Sequence, residues 1–286
     1  MVEFEVPEVD HGRYSNRQLV VVPVAVVILA VLVLVAGQFA FGTPVTLGIE
    51  FTGGTELTVT APGGVDQVRS AFDREIVSVQ GIRTEQNTYI VTFQSANEGG
   101  LAETAEAAGL AVDAIRTTSA AFGDRAQQQA LYGILLAFFG MSVVVAVLFR
   151  AVVPSAAVVA SAFGDIVVPL ALMNLLGIKL TLGAVAALLM LIGYSVDSDI
   201  LLTNHVLRRS GGFYDSVQRS MRTGVTMTVT SIAAMTVMTI VATAFGVELL
   251  ASIGLILVFG LVTDLLNTYM LNVGLLRWYV LGGERQ

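Results

Sequence analysis

Six long apolar runs constrain the fold of this chain more than any other feature of its sequence. They consist mainly of Val, Ala, Leu, Ile, Gly and Thr, and a helix that crosses a bilayer needs about 20 mainly apolar residues. The sequence therefore predicts a polytopic α-helical membrane protein with six transmembrane helices, and excludes a soluble enzyme and a disordered chain. The runs cover residues 19–37, 130–149, 154–176, 180–204, 224–245 and 249–271.

The first run has to be distinguished from a cleaved signal peptide, because a polar region follows it. Its apolar core is longer than the roughly 7–15 residues of a signal-peptide hydrophobic region. We therefore predict a retained transmembrane helix over residues 19–38.

The longest polar part, residues 39–129, has the pattern of a small soluble domain. Its apolar residues alternate as in a strand at Leu57 and Val59, and recur at helical spacing from Val65 to Val79. An overall order of strand, helix, strand, strand, helix, strand predicts a ferredoxin-like α+β domain. The other predicted elements are a strand at 89–93, a helix at 101–108 and a closing strand at 110–115.

Arginines between the apolar runs predict how the chain is oriented in the cell membrane. Lys and Arg in short loops accumulate on the cytoplasmic side, whereas a large domain crosses largely regardless of its charge. The short loops of the opposite side carry only Lys179, so both termini are predicted to be cytoplasmic and the large domain extracytoplasmic. The basic residues of the cytoplasmic side are Arg13, Arg17, Arg150, Arg208, Arg209, Arg219, Arg222, Arg277 and Arg285.

These assignments divide the chain into five parts. They are a cytoplasmic N-terminal segment (1–18), transmembrane helix 1 (19–38), the extracytoplasmic α+β domain (39–129), transmembrane helices 2–6 (130–280) with a cytoplasmic loop at 205–223, and a cytoplasmic tail (281–286).

Composition excludes several kinds of site. The chain has no cysteine, and its two histidines, His11 and His205, lie far apart, so we predict no metal site and no thiol chemistry. No catalytic constellation is recognisable, and we predict neither a cofactor nor an enzyme activity. The net charge is −7 and Lys179 is the only lysine among 15 basic residues, a bias that resembles proteins of salt-adapted archaea. A basic face for nucleic acid is not present.

Four carboxylates lie within the apolar runs, where ionisable groups are costly and therefore are candidates for function. They are Asp165, Asp197, Asp199 and Asp264. Roughly 16 Å of helix separates Asp197 from Arg208, so the short side chain cannot reach the membrane boundary. Asp197 and Asp199 diverge by about 200° on a helix. We therefore expect one of them to face the bundle interior and the other to need a separate partner or a wet cavity.

Arg222 precedes the fifth run and could reach the turn of Asp197 and Asp199 if the fourth and fifth helices are antiparallel. Burial of an aspartate disfavours its charged form, whereas a nearby arginine favours it. The pair would act either as a protonation switch or as a fixed ion pair that holds two helices in register. The sequence leaves both interpretations open.

A glycine-rich motif, Gly-Ile-Glu-Phe-Thr-Gly-Gly, covers residues 48–54. It resembles the signature Gly-x-Asp-Phe-x-Gly-Gly of the SecD/SecF family of protein-export subunits, with a glutamate in place of the signature aspartate. Paired glycines let the backbone adopt positive φ angles, so the motif is expected to form either a moving hinge or a close-packed turn. The motif residues are Gly48, Glu50, Phe51, Thr52, Gly53 and Gly54.

A fourth-span motif resembles the SecF branch of the same family. Residues 193–199 are similar to its Gly-Tyr-Ser-x-Asn-Asp-Thr stretch through Gly193, Tyr194 and Ser195, but Ser198 stands at the position of the family aspartate. Serine cannot carry the titratable proton, so that role would pass to Asp197 or Asp199. Shorter similarities lie at residues 164–166, 218–223 and 267–269.

The resemblance implies a fold and a function. The fold is half of a bundle like that of resistance-nodulation-division transporters, with an outer α+β domain. The implied function is that of an accessory subunit acting with SecD and the Sec translocon channel to promote preprotein export across the lipid bilayer, with an ion gradient as the implied driving force. By the same resemblance, Asp165, Asp197, Asp199 and Arg222 are the candidates for ion or proton coupling.

Two alternatives remain open at this point. The chain could be a passive scaffold that stabilises SecD and the translocon, with its aspartates only binding helices together. It could also be a small-molecule exporter of the resistance-nodulation-division type, although one six-helix half lacks the pseudo-symmetric partner that such transporters have.

Overall fold

A computed structural model describes residues 13–81, 87–94, 99–208 and 211–282. Most of the predicted cytoplasmic N-terminal segment, with His11, lies outside these residues, as do Arg209 and most of the predicted tail, with Arg285.

The described residues contain six helices that are long and apolar enough to cross a membrane, as predicted. The last of them continues through a π-helical segment into a further helix, so the sixth span is longer than its apolar run. The helices are α1 (Asn16–Phe41), α5 (Ala120–Phe149), α6 (Val152–Leu176), α7 (Leu182–Leu207), α8 (Phe213–Ala244) and α9 (Glu248–Leu266), followed by the π-helical segment Asn267–Asn272 and α10 (Val273–Gly282).

Two of these helices begin well before the apolar runs that predicted them. Helix α5 starts directly after Ser119, whose hydroxyl accepts a hydrogen bond from the Phe122 amide at 3.3 Å and caps the helix. Helix α8 starts after Gly212, whose amide donates to the Asp215 carboxylate at 3.2 Å. Apolarity marks only the part of a helix that lies in lipid, so the polar turns before it escape a hydropathy criterion.

The loop predicted at 205–223 is therefore wrong in extent. Helix α7 runs on to Leu207 and α8 already begins at Phe213, so only a short connection separates them. The extension of α8 is held by packing, because Phe213 and Val217 share a buried cluster with Val206 of α7.

The outer domain has the predicted ferredoxin-like order. Its four strands form one antiparallel sheet in the order β2-β3-β1-β4, the arrangement in which a strand–helix–strand unit is split by an intervening strand. The elements are α2 (Ile49–Thr52), β1 (Gly54–Thr60), α3 (Gly64–Ala71), β2 (Ile76–Gly81), β3 (Thr88–Phe93), α4 (Leu101–Ala107) and β4 (Ala111–Thr118).

One helical expectation in this domain is corrected. The apolar spacing from Val65 to Val79 predicted one helix, but α3 ends at Ala71 and Ile76 begins strand β2. The backbone becomes extended at Phe72, with φ −117° and ψ 129°, and β2 then pairs with β3. Spacings of three and four residues do not distinguish a continuous helix from a helix followed by a strand, and here strand pairing decides.

The interior of the membrane bundle is formed by α6, α7 and α9, whereas α1, α5 and α8 leave most of their surface exposed. Its apolar centre contains Met173 of α6, Leu188 and Leu191 of α7, and Ile256 and Leu257 of α9, all essentially inaccessible. The same three helices carry all four carboxylates of the apolar runs.

Candidate functional site

Three of the four intramembrane carboxylates are buried in the bundle interior. Asp165 of α6 and Asp264 of α9 are each 1% exposed, and Asp199 of α7 is fully inaccessible. Each comes from a different helix, so their arrangement depends on how the three central helices pack. We refer to Asp165, Asp199 and Asp264 as the carboxylate cluster.

Asp165 is held by two donors from neighbouring segments. One carboxylate oxygen accepts a short hydrogen bond from Ser195 Oγ of α7, and the other accepts from Asn267 Nδ2 of the π-helical segment at 2.7 Å. Asn267 Nδ2 also lies 3.4 Å from the Ser161 carbonyl of α6. Asp165 therefore ties α6 to both of its neighbours in the bundle interior.

Asp199 and Asp264 are joined by one hydroxyl group. Thr268 Oγ1 lies 2.7 Å from Asp199 Oδ1 and 3.2 Å from Asp264 Oδ1. Asn272 Nδ2 also donates to Asp199 Oδ1, and Ser198 Oγ of α7 lies 2.8 and 3.0 Å from the two oxygens of Asp264.

The π-helical segment supplies three of the groups that contact the cluster. Asn267 contacts Asp165 and Asn272 contacts Asp199, although five residues separate them. In an α-helix residues five apart diverge by about 140°, whereas the wider π turn brings such residues closer to one face. Segments of this kind occur frequently at functional sites, and here the wider turn lets one stretch of chain serve two carboxylates.

Asp197 lies outside the carboxylate cluster. Its side chain is exposed and lines a cavity of about 430 Å³ between α7, α8 and α9, with Tyr194 and Ser198. Asp199, two residues further along α7, faces the interior. The expected division between one interior aspartate and one at a cavity is therefore present, with Asp199 in the interior.

Arg222 does not pair with either aspartate of α7. Its side chain is exposed, and among the described residues it forms no ion pair with Asp197 or Asp199. The face of α8 that meets the interior is occupied instead by Gly224, where a Cβ would collide with the Tyr269 hydroxyl. The predicted contact is thus absent in this structure because the neighbouring Gly224, not Arg222, lies against the sixth span.

The sequence identified most of the site, but not all of it. The cluster contains Asp165 and Asp199, and Ser195 and Ser198 hydrogen-bond to it. Asp264 was recognised as an intramembrane carboxylate without being assigned to the site, and Asn272 was not recognised at all. Asn272 lies directly after the predicted sixth apolar run, which ends at residue 271, so no misplaced polar residue drew attention to it.

The glycine-rich motif forms a close-packed turn at the end of the bundle that meets the α+β domain. Its backbone pairs with the connection between α6 and α7, since the Gly48 amide donates to the Leu180 carbonyl at 2.8 Å. Phe51 is 2% exposed and packs with Ala126 of α5 and Val185 of α7. The motif thus contacts both α5 and α7 and connects them to strand β1.

Both glycines that end the motif are sterically required. Gly53 has a φ of 74°, and a Cβ there would meet the backbone of Ala120 at 2.8 Å. Gly54 has a φ of 141°, and a Cβ would lie 2.5 Å from the Phe93 carbonyl oxygen. The backbone of α5 also approaches closely, because a Cβ on Gly123 would lie 2.6 Å from the Phe51 carbonyl oxygen.

Charged side chains line a cleft of about 510 Å³ between the outer sheet and the bundle. Glu50 of the motif is buried and lies 3.6 Å from Arg116 of β4, and Lys179 donates to Ser78 Oγ of β2 at 3.0 Å. Burial, and then the nearby Glu50, raise the pKa of Glu56 above its ordinary value, whereas Arg116 and Lys179 lower it. Lys179 therefore connects the membrane bundle directly to the outer sheet.

Two family models match the chain. Residues 101–282 match the C-terminal part of the protein-export membrane proteins SecD and SecF, and residues 39–61 match the SecD/SecF GG motif. The first match covers more than half of the chain. The chain belongs to the SecD/SecF family.

Curated relatives agree with this assignment over the whole length. Proteins named protein-export membrane protein SecF are 60% identical over 285 residues in Haloferax volcanii and 58% identical over 289 residues in Haloquadratum walsbyi, covering 99% of each chain. A protein of the same name in Methanocaldococcus jannaschii is 35% identical and covers 91% of this chain. The first two organisms are halophilic archaea, consistent with the resemblance drawn from the arginine-rich composition.

Solved structures show the same fold. The crystal structure of SecDF, a translocon-associated membrane protein from Thermus thermophilus, matches 98% of this chain with a TM-score of 0.75 and 19% identity. A structure of SecDF in a super-membrane-facing form matches with a TM-score of 0.64 and 21% identity. This chain corresponds to only 39% and 40% of those longer chains.

Replacing Gly54 by alanine should destabilise the outer domain, because a side chain there meets the Phe93 carbonyl and the φ angle is unfavourable. Such backbone strain costs about 1–3 kcal/mol. Thermal unfolding of the full chain in detergent and protease resistance of the outer domain would measure it. Gly133→Ala on α5 is the matched control, since its Cβ would enter open space. Equal stability of the two variants would contradict this account of the motif.

Replacing Ser195 by alanine should destabilise the bundle, because one buried oxygen of Asp165 loses its donor. The expected loss is about 1–3 kcal/mol, the cost of leaving a buried polar group unsatisfied. Thermal unfolding of the full chain in detergent reports it. Ser142→Ala is the control, since that hydroxyl bonds only the Phe138 carbonyl of its own helix. A Ser195 variant as stable as the Ser142 variant would show that the contact with Asp165 contributes nothing.

Proposed function

We propose that this chain is a non-catalytic subunit of the Sec protein-export machinery, acting with a SecD partner to promote the passage of preproteins across the membrane. Family membership and the names of its full-length relatives support the assignment. One structural observation supports a mechanism: helix α7 contacts the glycine-rich motif at one end and contributes Asp199 to the carboxylate cluster further along.

Helix α7 provides a direct connection between membrane and outer domain. Leu180, just before its start, pairs with the backbone of the motif, and Val185 packs against Phe51. Asp199 lies 18 residues beyond Thr181, which corresponds to about 27 Å of helix. A shift of α7 at the cluster would therefore also move the residues that contact the motif, and the motif leads directly into strand β1.

The proposed driving event is a change in the charge of the carboxylate cluster. A charge on a buried carboxylate raises the free energy of the folded state, because its surroundings solvate a charge poorly. Such a change would alter the hydrogen bonds that hold α6, α7 and the sixth span together. Lys179 would transmit the same movement to strand β2 through Ser78. An ion gradient across the membrane could in this way bias the position of the outer domain.

The SecD partner and the translocon channel are parts of this proposal. This chain has one six-helix unit, whereas the solved SecDF chains of the same fold are about two and a half times as long. A second chain would supply the remaining half of a pseudo-symmetric bundle. Small-molecule export is not favoured, since the matched relatives are named for protein export.

We also propose that both termini are cytoplasmic and that the domain of residues 39–129 is extracytoplasmic. The support is the distribution of arginine between the short loops. The polar first turns of α5, with Asp124 and Arg125, and the cytoplasmic extension of α8 would then project beyond the bilayer.

Export should depend on each member of the carboxylate cluster. Asp165→Asn, Asp199→Asn and Asp264→Asn, tested singly in cells lacking the natural copy, should lower translocation of a reporter preprotein to below about a tenth of wild type, because neutral amides cannot exchange a proton. Asp124→Asn, an exposed aspartate at the start of α5, is the control. Wild-type export from all three variants would contradict the mechanism. Reduced recovery of the SecD complex with normal export per complex would indicate a passive scaffold.

Orientation can be measured with single cysteines, because the natural chain has none. Ser70→Cys in the outer domain should react with a membrane-impermeant maleimide in intact cells. Tyr14→Cys, at an exposed position before α1, should react only after the membrane is permeabilised. The opposite labelling pattern would reverse the proposed topology.

A further inference from the structure

The hydrogen bonds around Asp264 outnumber the hydrogens available to make them. Ser198 Oγ lies 2.8 Å from both the Ser195 carbonyl and Asp264 Oδ1, while Thr268 Oγ1 lies 2.7 Å from Asp199 Oδ1 and 3.2 Å from Asp264 Oδ1. Ser198 Oγ also lies 3.0 Å from Asp264 Oδ2 and 3.4 Å from Thr268 Oγ1, which makes six oxygen–oxygen contacts. Ser198 and Thr268 supply one hydroxyl hydrogen each, and an ionised carboxylate supplies none. A proton on Asp264 provides a third hydrogen.

Asp165 does not have this shortage, because its contacts come from the Ser195 hydroxyl and the Asn267 amide, which can both donate. Asp199 Oδ1 has its own donor in the Asn272 amide but shares the Thr268 hydroxyl with Asp264. Asp264 has only the shared hydroxyls of Thr268 and Ser198. The missing hydrogen is therefore a proton that Asp264 binds and shares with Asp199 through Thr268.

The charges near Asp264 also favour a neutral acid. None of the three cluster carboxylates makes an ion pair with a described residue, and an unpaired buried charge is strongly unfavourable. The titratable groups facing it are Asp165 from α6, Asp199 from α7 and Tyr269 from the π-helical segment, none of them cationic. Arg222 of α8 is exposed and not paired with them.

A cavity gives the cluster a connection to the outside of the bundle. Ser198 lines the cavity of about 430 Å³ between α7, α8 and α9, and the same hydroxyl contacts Asp264. On the far side, Asp199 Oδ2 and the hydroxyl of Ser161 are buried beside each other. A protonated Asp199 thus has a neighbouring hydroxyl to which it can donate a hydrogen bond.

We propose that Asp264 is a proton-binding residue of this site and exchanges its proton with Asp199 through the hydroxyl of Thr268. Asp264 gives its proton to Thr268 Oγ1 while Thr268 gives its own hydrogen to Asp199 Oδ1, so Asp264 becomes a carboxylate, Asp199 a neutral acid, and Thr268 is unchanged. Ser198 passes protons between the cavity and Asp264 in the same way. This inference rests on the proposed function and adds the identity of the proton-binding residue.

The geometry favours a proton over a metal cation as the bound species. The contacts of 2.7–3.2 Å between these oxygens are those of hydrogen bonds. Over the described ranges, no three Asp, Glu or His side chains are grouped so that they could hold a metal ion.

Infrared spectroscopy of the full chain with its SecD partner in lipid vesicles tests the proposal without measuring export. Wild type should show the C=O stretching band of a protonated carboxylic acid at neutral pH, and Asp264→Asn should lose the component contributed by Asp264, which is measured as a difference spectrum. Asp124→Asn, at an exposed position outside the cluster and the cavity, should retain the full band. An absent wild-type band, or a band of unchanged intensity in Asp264→Asn, would overturn the proposal. So would a band removed by sodium at constant pH, which would indicate a metal cation.

A second variant keeps all carboxylates and tests the path from the cavity. Ser198→Ala should retain the acid band but slow its isotope shift after transfer into deuterated water by about tenfold or more, because a positioned proton-transfer group is lost. Unchanged exchange would overturn the role of Ser198. The proposed export function has its own test in the export assay. If Asp264 is protonated but its variants export normally, this inference holds and the proposed function fails.

Discussion

A carboxylate inside a membrane bundle must obtain its hydrogen-bond donors from neighbouring helices, since neither water nor lipid supplies them. This requirement organises the central part of the molecule. The donors to Asp165 come from α7 and from the π-helical segment, and those to Asp199 come entirely from that segment. The three interior segments are therefore held in register by directional contacts, whereas apolar packing alone would allow them to slide.

The same constraint accounts for the irregular sixth span. A regular α-helix would direct Asn267 and Asn272 to different sides, and either Asp165 or Asp199 would lose a donor. The π turn is a weaker backbone arrangement, so it is expected where side-chain contacts offset its cost. Here the offsetting contacts are those of Asn267 with Asp165 and of Asn272 with Asp199.

The sequence was sufficient for the six spans and for strands β1 and β3 of the outer domain, because hydropathy and strand alternation are local properties. It failed where a contact between elements decided the outcome. Strand β2 was hidden in a helical spacing until its pairing with β3 was known, and the early start of α8 depends on the packing of Phe213. Arg222 was expected to reach the turn of Asp197 and Asp199 because the two helices are neighbours in sequence, but the rotation of α8 about its own axis depends on tertiary packing. Asn272 was missed because its contact with Asp199 also depends on tertiary packing.

Asp264 shows how a carboxylate can reach a motif from a different helix. Ser198 stands where the SecF motif that this stretch resembles has an aspartate, and from the sequence we expected only Asp197 or Asp199 to replace it. Yet Asp197 lies at the cavity and Asp199 faces the opposite side of the helix, as their angular separation requires. The carboxylate of Asp264 reaches the Ser198 hydroxyl from α9 instead. A small side chain at position 198 leaves room for this contact, so Ser198 and Asp264 form one hydrogen-bonded pair contributed by two helices.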